Sequence, residues 1–371
     1  MRSFTVHSPA RVCLYGDHQD YLSLPVIAGA IDRYMHFEVS AWDENSFELH
    51  LIDFGETLDI KIDSSQAYTQ TSAIDFFRSG LRVAARHGYV AKHGLRVRIY
   101  SNIPINAGVS SSSALVVGWI YTLALAFGNG QIPEPDQLGQ MAFEAEVLEH
   151  QSPGGQMDQY TIAHGGLVHI ETGTQIRVHP LKIPALNLVL ADSNIKKQTL
   201  STIGSVRELT TEAIKEIQTQ NSSFSLVAAR TKALDHELDH VRTDLKPYAT
   251  AAVRNHEITM EALQELKSQA PDVTILGQLM SAHHQQLSQV LKVSHVQIDK
   301  WMSLGLEYGA YGAKIVGSGH GGCSVFLVPQ TKEHSLSQLL LASGVHAAYP
   351  IKISQGCHHS WAEPINMITH E

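Results

Sequence analysis

The sequence predicts a protein of mixed helix and strand structure in two domains, and three observations lead to this prediction. The chain has 371 residues, and at roughly 150 residues per domain this length suggests two domains, or three at most. The first half contains many short alternating or β-branched runs, which are typical of strands. A long helical stretch follows from about residue 199 to residue 310. The predicted boundary therefore lies near residue 182, between domains at residues 1–182 and 183–371.

Strands and two helices account for most of the first half. Predicted strands lie at residues 11–15, 36–40, 47–52 and 95–100. A helix opens at Ser110, and its body at residues 114–127 is apolar nearly all round, which indicates a buried helix. A second helix is predicted over residues 136–149, after two prolines and with Asp136 as its N-cap.

The second half is predicted to be mainly helical between strands. One apolar strand lies at residues 186–191. Helical pieces are predicted at residues 206–209, 227–241, 252–266 and 276–290. A strand, a glycine loop and a second strand near residues 313–328 close the pattern.

Composition excludes several classes of protein. Apolar residues make up 43% and charged residues 17% of the chain, which excludes a disordered protein. The net charge of −9 without a dense basic block argues against a nucleic-acid partner. The longest apolar run, residues 114–127, is shorter than the ~20 residues that cross a bilayer, so no membrane partner is expected.

Cysteine usage points to a reducing compartment. The three cysteines, Cys13, Cys323 and Cys357, are far apart and form no C-x-x-C pair, which excludes a disulfide scaffold. The N-terminal residues also lack the apolar core of a signal peptide. A cytoplasmic protein is therefore expected.

A serine-rich loop is a candidate anion site. Residues 106–114 read Asn-Ala-Gly-Val-Ser-Ser-Ser-Ser-Ala, between a predicted strand and an apolar helix. Gly108 permits a tight turn, and the small serines leave backbone N–H groups open at a helix N-terminus, where anions bind. The alternative is that the serines only cap the helix. The chain contains no G-x-x-x-x-G-K-[ST] motif, so this is not a Walker A loop.

Two groups of polar residues suggest substrate chemistry. Glu146 lies on the predicted helix over residues 136–149. Asp158 follows a Pro-Gly-Gly break and is expected on a loop or at a helix start, so the chain can bring both carboxylates together for phosphoryl transfer. Asp17, His18 and Asp20 crowd one loop after a strand and suit the hydroxyls of a sugar or polyol. The alternatives are an N-cap with a solvated acidic face, and an Asx-rich turn.

Two further motifs fit familiar patterns without their expected context. Residues 317–322 match G-x-G-x-x-G, but a strand follows instead of a helix, which excludes a Rossmann site. The loop is then either a hairpin or a backbone surface against a ligand. Residues 236–240 match the H-E-x-x-H motif of zinc proteases. The segment is acidic, a third ligand is missing, and chance His pairs are expected among 22 histidines, so zinc is disfavoured.

Four sequence motifs, taken together and in their order along the chain, change this assessment. Residues 9–21 read Pro-Ala-Arg-Val-Cys-Leu-Tyr-Gly-Asp-His-Gln-Asp-Tyr, which is similar to P-G-R-V-N-L-I-G-E-H-T-D-Y of the GHMP small-molecule kinases. Residues 108–113 resemble the family's phosphate loop, G-L-S-S-S-A. Residues 145–159 resemble its A-E-H … G-I-M-D-Q segment, and residues 311–323 its third motif, Y-G-S-R-M-T-G-G-G-F-G-G-C. The chain resembles this family over essentially its whole length, and within it most closely the galactokinases.

The resemblance implies a fold and an activity. The fold class is α+β, with an N-terminal domain like ribosomal protein S5 and a C-terminal ferredoxin-like domain with several helices. The implied activity is an ATP-dependent sugar kinase that phosphorylates the anomeric hydroxyl of a monosaccharide. Its small-molecule partners are the sugar and ATP, and its cofactor is Mg²⁺.

The resemblance also implies roles for individual residues. The catalytic residues would be Asp158, facing the anomeric hydroxyl, and Arg11 beside it. The substrate-binding residues would be Asp17, His18, Asp20 and Tyr21. The ATP-binding residues would be Gly108, Val109, Ser110, Ser111, Ser112 and Ser113, and the metal ligands Ser112 and Glu146. The glycine loop at residues 317–322 would border the site.

The chain departs from galactokinases at positions expected to contact the sugar. Asp17 stands where those enzymes have glutamate, and Gly204 where they keep a tyrosine. Galactose therefore leads as substrate, with another sugar or a uronic acid as the alternative. A non-catalytic sensor of sugar and nucleotide is the alternative of another class. The intact catalytic and metal positions argue against a sensor.

Overall fold

The computed structural model describes residues 2–63, 75–105, 107–182, 186–196 and 199–362, with residues 199–204 described by their backbone only. Gly204 is one of the two positions that depart from galactokinases. Only its backbone is described, so the surroundings of this position lie outside what the structure describes.

Twelve strands and ten α-helices are described in these ranges. The strands are β1 (Phe4–Tyr15), β2 (Val26–Trp42), β3 (Ser46–Leu51), β4 (Glu56–Lys61), β5 (Gly94–Ser101), β6 (Leu167–Glu171), β7 (Arg177–Leu181), β8 (Leu188–Asp192), β9 (Gly312–Ile315), β10 (Cys323–Leu327), β11 (Ala347–Ile351) and β12 (His358–Trp361). The helices are α1 (Phe76–Arg86), α2 (Ser111–Phe127), α3 (Pro135–Phe143), α4 (Met157–His164), α5 (Thr199–Gln220), α6 (Asp235–Leu238), α7 (Lys246–Leu266), α8 (Val273–Gln285), α9 (Val296–Glu307) and α10 (Glu333–Ala342).

The first sheet has eight strands and forms the frame of the N-terminal half. Its main order is β12-β1-β2-β5-β3-β4, with β6 paired to β2 and β7 to β6. Strands β1 and β2 pair antiparallel over almost the whole length of β1, from Phe4↔Val39 to Tyr15↔Ile27. The polar loop that follows Tyr15 is therefore anchored at the end of a long, central strand.

The apolar helix α2 packs against this sheet, and the prediction that it is buried is confirmed. Trp119 is fully buried and meets the rings of Phe47 and Phe77 edge-on at centroid distances of 5.7 and 5.6 Å. Its Nε1 donates to the carbonyl of Phe77 at 3.0 Å. Edge-to-face packing of this kind adds about 0.5–1.5 kcal/mol per pair beyond burial. The N-terminus of α2 is thus held on a rigid support.

The second sheet has four antiparallel strands in the order β11-β8-β10-β9. Helices α9 and α10 contribute to its core, where Trp301 and Met302 of α9 join Phe326 of β10. Strands β9 and β10 flank the glycine loop, as the sequence predicts. Among the described residues, no helix is both long enough and apolar enough to cross a membrane.

The division of the chain between the two sheets is not a simple cut. The predicted boundary near residue 182 falls between β7 of the first sheet and β8 of the second. Strand β12, however, lies in the predicted second domain and pairs with β1 of the first sheet, from Phe4↔Trp361 to His7↔His358. The end of the described chain therefore returns to the N-terminal half.

Two local predictions are wrong. The helix predicted over residues 227–241 is largely irregular, and only the four residues of α6 are α-helical there. Because α6 ends at Leu238, His236 and His240 of the H-E-x-x-H motif do not share a helical face. Asp136 is not an N-cap, because Glu134 holds that position and the helix begins at Pro135. Proline is favoured at the first position of a helix, because an N–H group there would have no partner within the helix.

A buried ion pair ties the two sheets together. Lys314 of β9 has no exposed surface, and its ammonium contacts the carboxylate of Asp17, which follows β1. The same ammonium donates to the carbonyls of Cys13 at 3.0 Å and Ile315 at 2.8 Å. The second carboxylate oxygen of Asp17 accepts from the backbone N–H of Gly317 at 2.8 Å. The pair therefore fixes the first residue of the glycine loop against the end of β1.

Replacing this lysine should destabilise the protein strongly. Lys314→Met leaves the Asp17 carboxylate buried without its cation, and such a change costs about 3–5 kcal/mol of unfolding free energy. The double variant Asp17→Asn with Lys314→Met should recover most of the loss, because the buried charge is then gone. Urea denaturation measures both values. The matched control Lys300→Met, at an exposed position of α9, should change stability by no more than about 0.5 kcal/mol. Equal losses for the single and double variants would contradict the assignment.

Candidate active site

Arg11 stands at the centre of the candidate site. It lies on β1, is only 4% exposed, and its backbone N–H donates to the carbonyl of Val109 at 3.2 Å. Its guanidinium makes a fork with Asp158, with Nε donating to Oδ1 and Nη2 to Oδ2, both at 2.7 Å. The remaining terminal nitrogen, Nη1, donates to the carbonyl of Gly108 at 2.7 Å. One side chain therefore joins a strand, the serine-rich loop and the helix that carries Asp158.

Asp158 lies in the first turn of α4, so of the two positions that the Pro-Gly-Gly break allows, a loop or a helix start, the structure has the helix start. Its Oδ2 also accepts a hydrogen bond from the hydroxyl of Ser110. Ser110 occupies the N-cap position of α2 in the left-handed conformation, with φ of 61°, and its side chain makes no capping bond. The alternative that this serine only caps the helix is therefore wrong for Ser110.

The ion pair sets the charge of this centre. Burial opposes the charge of Arg11, but the neighbouring Asp158 carboxylate outweighs it and raises the pKa of the guanidinium. The side chain of Asp158 keeps 27% of its surface exposed, against 5% for Arg11. The carboxylate therefore faces the cavity, while the guanidinium holds it from behind.

Glu146 approaches the serine-rich helix from a distorted segment. The helix that begins at Pro135 continues as a π-helical turn at Glu144–Leu148, a distortion that is rare and often lies at functional sites. Nε2 of Gln159 donates to Oε2 of Glu146 at 2.6 Å. Burial raises the pKa of Glu146, while hydrogen bonds from Ser113, Gln159 and Ser112 act in the opposite direction. Glu146 and Ser112, the two predicted metal ligands, are therefore neighbours.

Asp20 lies in the loop after β1, and its carboxylate contacts the start of α4. Its Oδ1 accepts from the backbone N–H of Tyr21 at 3.0 Å and its Oδ2 from that of Met157 at 3.4 Å. A Cβ atom on Gly155 would lie 1.8 Å from Oδ2, so only glycine permits this approach. Burial first, and then the nearby Asp158 carboxylate, raise the pKa of Asp20 to about 6.

His18 and Tyr21 form one hydrogen-bonded unit beside Asp20. Nδ1 of His18 lies 2.8 Å from the hydroxyl of Tyr21, and Nε2 lies 3.1 Å from the carbonyl of Ser318. The guanidinium of Arg207 lies 5.7 Å from the centre of the Tyr21 ring and donates to the carbonyl of Pro153 at 3.1 Å. The loop after β1 therefore contacts both the glycine loop and the segment before α4.

Asp17 differs from the other acidic residues of the site. Its two oxygens are engaged by Lys314 and by the N–H of Gly317. Burial opposes its charge, but Lys314 outweighs that effect and lowers the pKa of Asp17. Asp17 lines the cavity as one half of the ion pair between the sheets, and its contact with a sugar stays a prediction.

These residues surround a cavity of about 580 Å³, a size usual for small-molecule sites. The predicted residues that line it are Arg11, Asp17, His18, Asp20, Tyr21, Ser112, Ser113, Glu146 and Asp158, together with Gly317 and Ser318 of the glycine loop. Gly108, Val109, Ser110 and Ser111 are outside this lining. The carbonyls of Gly108 and Val109 accept from Arg11, so these residues position the centre from outside the cavity.

Three residues of the site have no role in the sequence prediction. Gln159 holds Glu146, Gly155 makes room for Asp20, and Lys314 holds Asp17. Gln159 and Gly155 lie beside Asp158 within residues 145–159, which resemble a motif of the family, so their position in that motif indicates a place in the site. Lys314 is 297 residues from its partner, Asp17. In the sequence it is a single lysine in an apolar strand, which does not indicate a partner.

Three models of known protein families match this chain. The GHMP kinases N terminal domain matches residues 73–166, and the GHMP kinases C terminal domain matches residues 259–341. The galactokinase galactose-binding signature matches residues 2–41, which contain β1 and the polar loop after it.

Relatives and solved structures match over most of their length. A galactokinase of Thermotoga neapolitana is 28% identical over 329 residues, covering 87% of this chain and 88% of the relative. A galactokinase of Pyrococcus furiosus is 26% identical over 345 residues, covering 92% and 93%. The structure of Lactococcus lactis galactokinase complexed with galactose superposes with a TM-score of 0.83 at 22% identity, covering 96% of this chain and 95% of that one. Methanococcus jannaschii mevalonate kinase superposes with a TM-score of 0.71 at 20% identity, covering 95% and 98%. With both domain matches in order along one chain and the galactokinase signature before them, the protein belongs to the GHMP kinases.

Proposed function

We propose that this protein is a galactokinase-type sugar kinase, which transfers the γ-phosphoryl group of ATP to the anomeric hydroxyl of a monosaccharide. The observation that carries the proposal is the Asp158 carboxylate, which faces the cavity and is held by Arg11 and Ser110. The galactokinase relatives and the galactose-binding signature support a galactose-type substrate.

Asp158 acts on the hydroxyl of the sugar. Three donors already engage its two oxygens, so the carboxylate has one orientation and accepts a hydrogen bond from the anomeric O–H. The sugar oxygen then forms a bond to the γ-phosphorus, and the bond from that phosphorus to the bridging oxygen of ADP breaks. The hydroxyl proton passes to Asp158 and on to solvent. In such transfers, positioning and electrostatic stabilisation supply most of the catalysis.

The serine-rich loop and the N-terminus of helix α2 are the elements that bind the nucleotide in this proposal. The first N–H groups of an α-helix have no partner within the helix, and together with the helix dipole they attract phosphate. Arg11 adds a fixed positive charge next to Asp158. We assign the phosphates of ATP to the loop at residues 108–113 and to this helix N-terminus.

Glu146 and Ser112 fit a magnesium ion. Mg²⁺ prefers hard oxygen ligands and usually takes one or two carboxylates besides the substrate phosphates. Both residues line the same cavity, and burial of the Glu146 carboxylate at the N-terminus of α2 suits a group that gains a cation. When bound, Mg²⁺ neutralises charge on the phosphate oxygens of ATP.

Asp20, His18 and Tyr21 are the residues that bind the sugar in this proposal. The Asp20 carboxylate is fixed by two backbone N–H groups, and each carboxylate oxygen can still accept a further hydroxyl donor. His18 and Tyr21 are hydrogen-bonded to each other and add an imidazole ring and a phenol hydroxyl beside Asp20. The contact of Asp17 with the sugar, which the resemblance implies, is part of this proposal.

Release of ADP with a panel of hexoses, pentoses and uronic acids tests the function. The protein should turn over galactose or a close relative in the presence of Mg²⁺ and ATP. Asp158→Asn keeps the shape but loses the charge, and its kcat should fall by about 10²–10⁴, with ATP binding nearly unchanged.

The matched control for this variant is Asp136→Asn. Asp136 is a largely exposed carboxylate that contacts His164 at the end of α4, and its replacement should leave kcat unchanged. Normal turnover by Asp158→Asn would remove Asp158 from the mechanism. Binding of sugar and ATP without turnover of any sugar by the unmodified protein would favour a sensor.

The metal assignment predicts a selective defect. Ser112→Ala removes a hydroxyl ligand and Glu146→Gln replaces a charged carboxylate by a neutral amide, so the rate of the double variant should require higher Mg²⁺ and fall at saturation. Sugar binding without metal should be unchanged in calorimetry. Glu144→Gln, on the same π-helical turn, serves as control and should keep the Mg²⁺ dependence. An unchanged Mg²⁺ dependence in the double variant would place the metal elsewhere.

Asp20 predicts a pH-dependent sugar affinity. Its pKa is raised to about 6, so the acceptor carboxylate is present above that pH and is lost by protonation as the pH falls through 6. Sugar affinity should therefore drop below about pH 6. Asp20→Ala should weaken binding by about 1.5–3 kcal/mol for each charge-assisted bond lost and remove that pH step, as calorimetry at several pH values would measure. A deoxy sugar without the contacted hydroxyls should bind both proteins alike. An Asp20→Ala protein with unchanged affinity and pH profile would exclude this contact.

A further inference from the structure

The hairpin of β6 and β7 carries a second group of potential ligands, outside the kinase cavity. His169 and Glu171 are two residues apart on β6 and therefore point to the same face of the strand. His179 of β7 lies directly across from His169 in the antiparallel register. The potential ligand atoms of these three side chains all lie within 4.8 Å of one another. Nε2 of His179 is already 3.3 Å from Oε1 of Glu171.

The buried histidine of this group lacks hydrogen-bond partners. His169 is only 4% exposed, and neither of its ring nitrogens has a partner among the described residues. A buried polar group in a native protein is normally hydrogen-bonded, so an unpaired one requires an explanation, and an ion is one of those that apply. A neutral imidazole with a free ring nitrogen is the form of histidine that coordinates a metal.

We propose that His169, Glu171 and His179 form a binding site for a divalent transition-metal ion, with Zn²⁺ as the best fit. Two imidazoles and one carboxylate match the ligands of three-coordinate protein zinc sites, in which a fourth position remains for water. Bonds of about 2.0–2.2 Å place tetrahedral ligand atoms roughly 3.4 Å apart. The side chains of Glu171 and His179 are 45% and 46% exposed, so they can close that distance by changing rotamers.

The site is distinct from the zinc motif that the sequence suggests. His236 and His240 are both exposed; His236 lies within a four-residue helix and His240 beyond its end. They are not part of any group of converging ligands found in the described residues. His169 and His179 are ten positions apart in the sequence, and the strand pairing alone makes them neighbours.

Zinc titration of the full chain after treatment with a chelator tests the proposal. Titration calorimetry with Zn²⁺ alone should show one site per chain, and saturation should raise Tm because the ion binds only the folded hairpin. His179→Asn and Glu171→Gln alter exposed ligands and leave the fold intact. Each should weaken this site by about tenfold or more, the scale at which even indirect partners of a metal affect its affinity.

Two controls separate this site from other zinc binding. The double variant His236→Gln with His240→Gln should bind zinc as the unmodified protein does. Glu146→Gln should also leave the site intact, which separates it from the magnesium position in the kinase cavity. Absence of stoichiometric zinc binding would overturn the proposal. Binding that is unchanged in both His179→Asn and Glu171→Gln would overturn it as well.

Discussion

The site depends on one buried guanidinium. Arg11 donates through three nitrogens at 2.7 Å each, two to Asp158 and one to the carbonyl of Gly108. A buried charge is tolerated only when its hydrogen bonds are satisfied, so the fork requires β1, the serine-rich loop and α4 to keep their present positions. Lysine could not replace it, because an ammonium lacks the planar pair of donors that matches a carboxylate. The orientation of the proposed catalytic carboxylate is thus a consequence of the same bonds that hold three elements together.

The sequence predicts the parts of this arrangement that lie in short motifs. A strand, a glycine and crowded polar residues predict the loop with Asp20, and the Pro-Gly-Gly break predicts Asp158 on a loop or at a helix start. The apolar residues of α2 predict a buried helix, because periodic or continuous burial is a local property of the chain. The family and its fold follow from the order of these motifs, and the domain matches confirm them.

What the sequence does not predict depends on contacts between distant residues. The π-helical turn at Glu146 follows from packing, since nothing in Glu-Ala-Glu-Val-Leu departs from ordinary helix formers. Strand β12 joins the first sheet only because β1 offers it an edge. The segment at residues 227–241 has the composition of a helix, yet tertiary context leaves most of it irregular. Asp17 shows the same limit, because its pairing with Lys314 cannot be found from spacing.

The charge of the cavity bears on which sugar it accepts. Four carboxylates line it, on Asp17, Asp20, Glu146 and Asp158. Asp17 is paired with Lys314, and the guanidinium of Arg11 is already engaged by Asp158. The pKa of Asp20 is raised by burial and by Asp158, so a further negative charge nearby is unfavourable. A uronate within 4 Å of Asp20 would add a repulsion of about 4 kcal/mol at an effective dielectric constant near 20. That repulsion exceeds the roughly 1.5–3 kcal/mol of a charge-assisted hydrogen bond. A neutral sugar brings only hydroxyl donors, which these carboxylates accept. The electrostatics of the cavity therefore favour a neutral monosaccharide over a uronic acid.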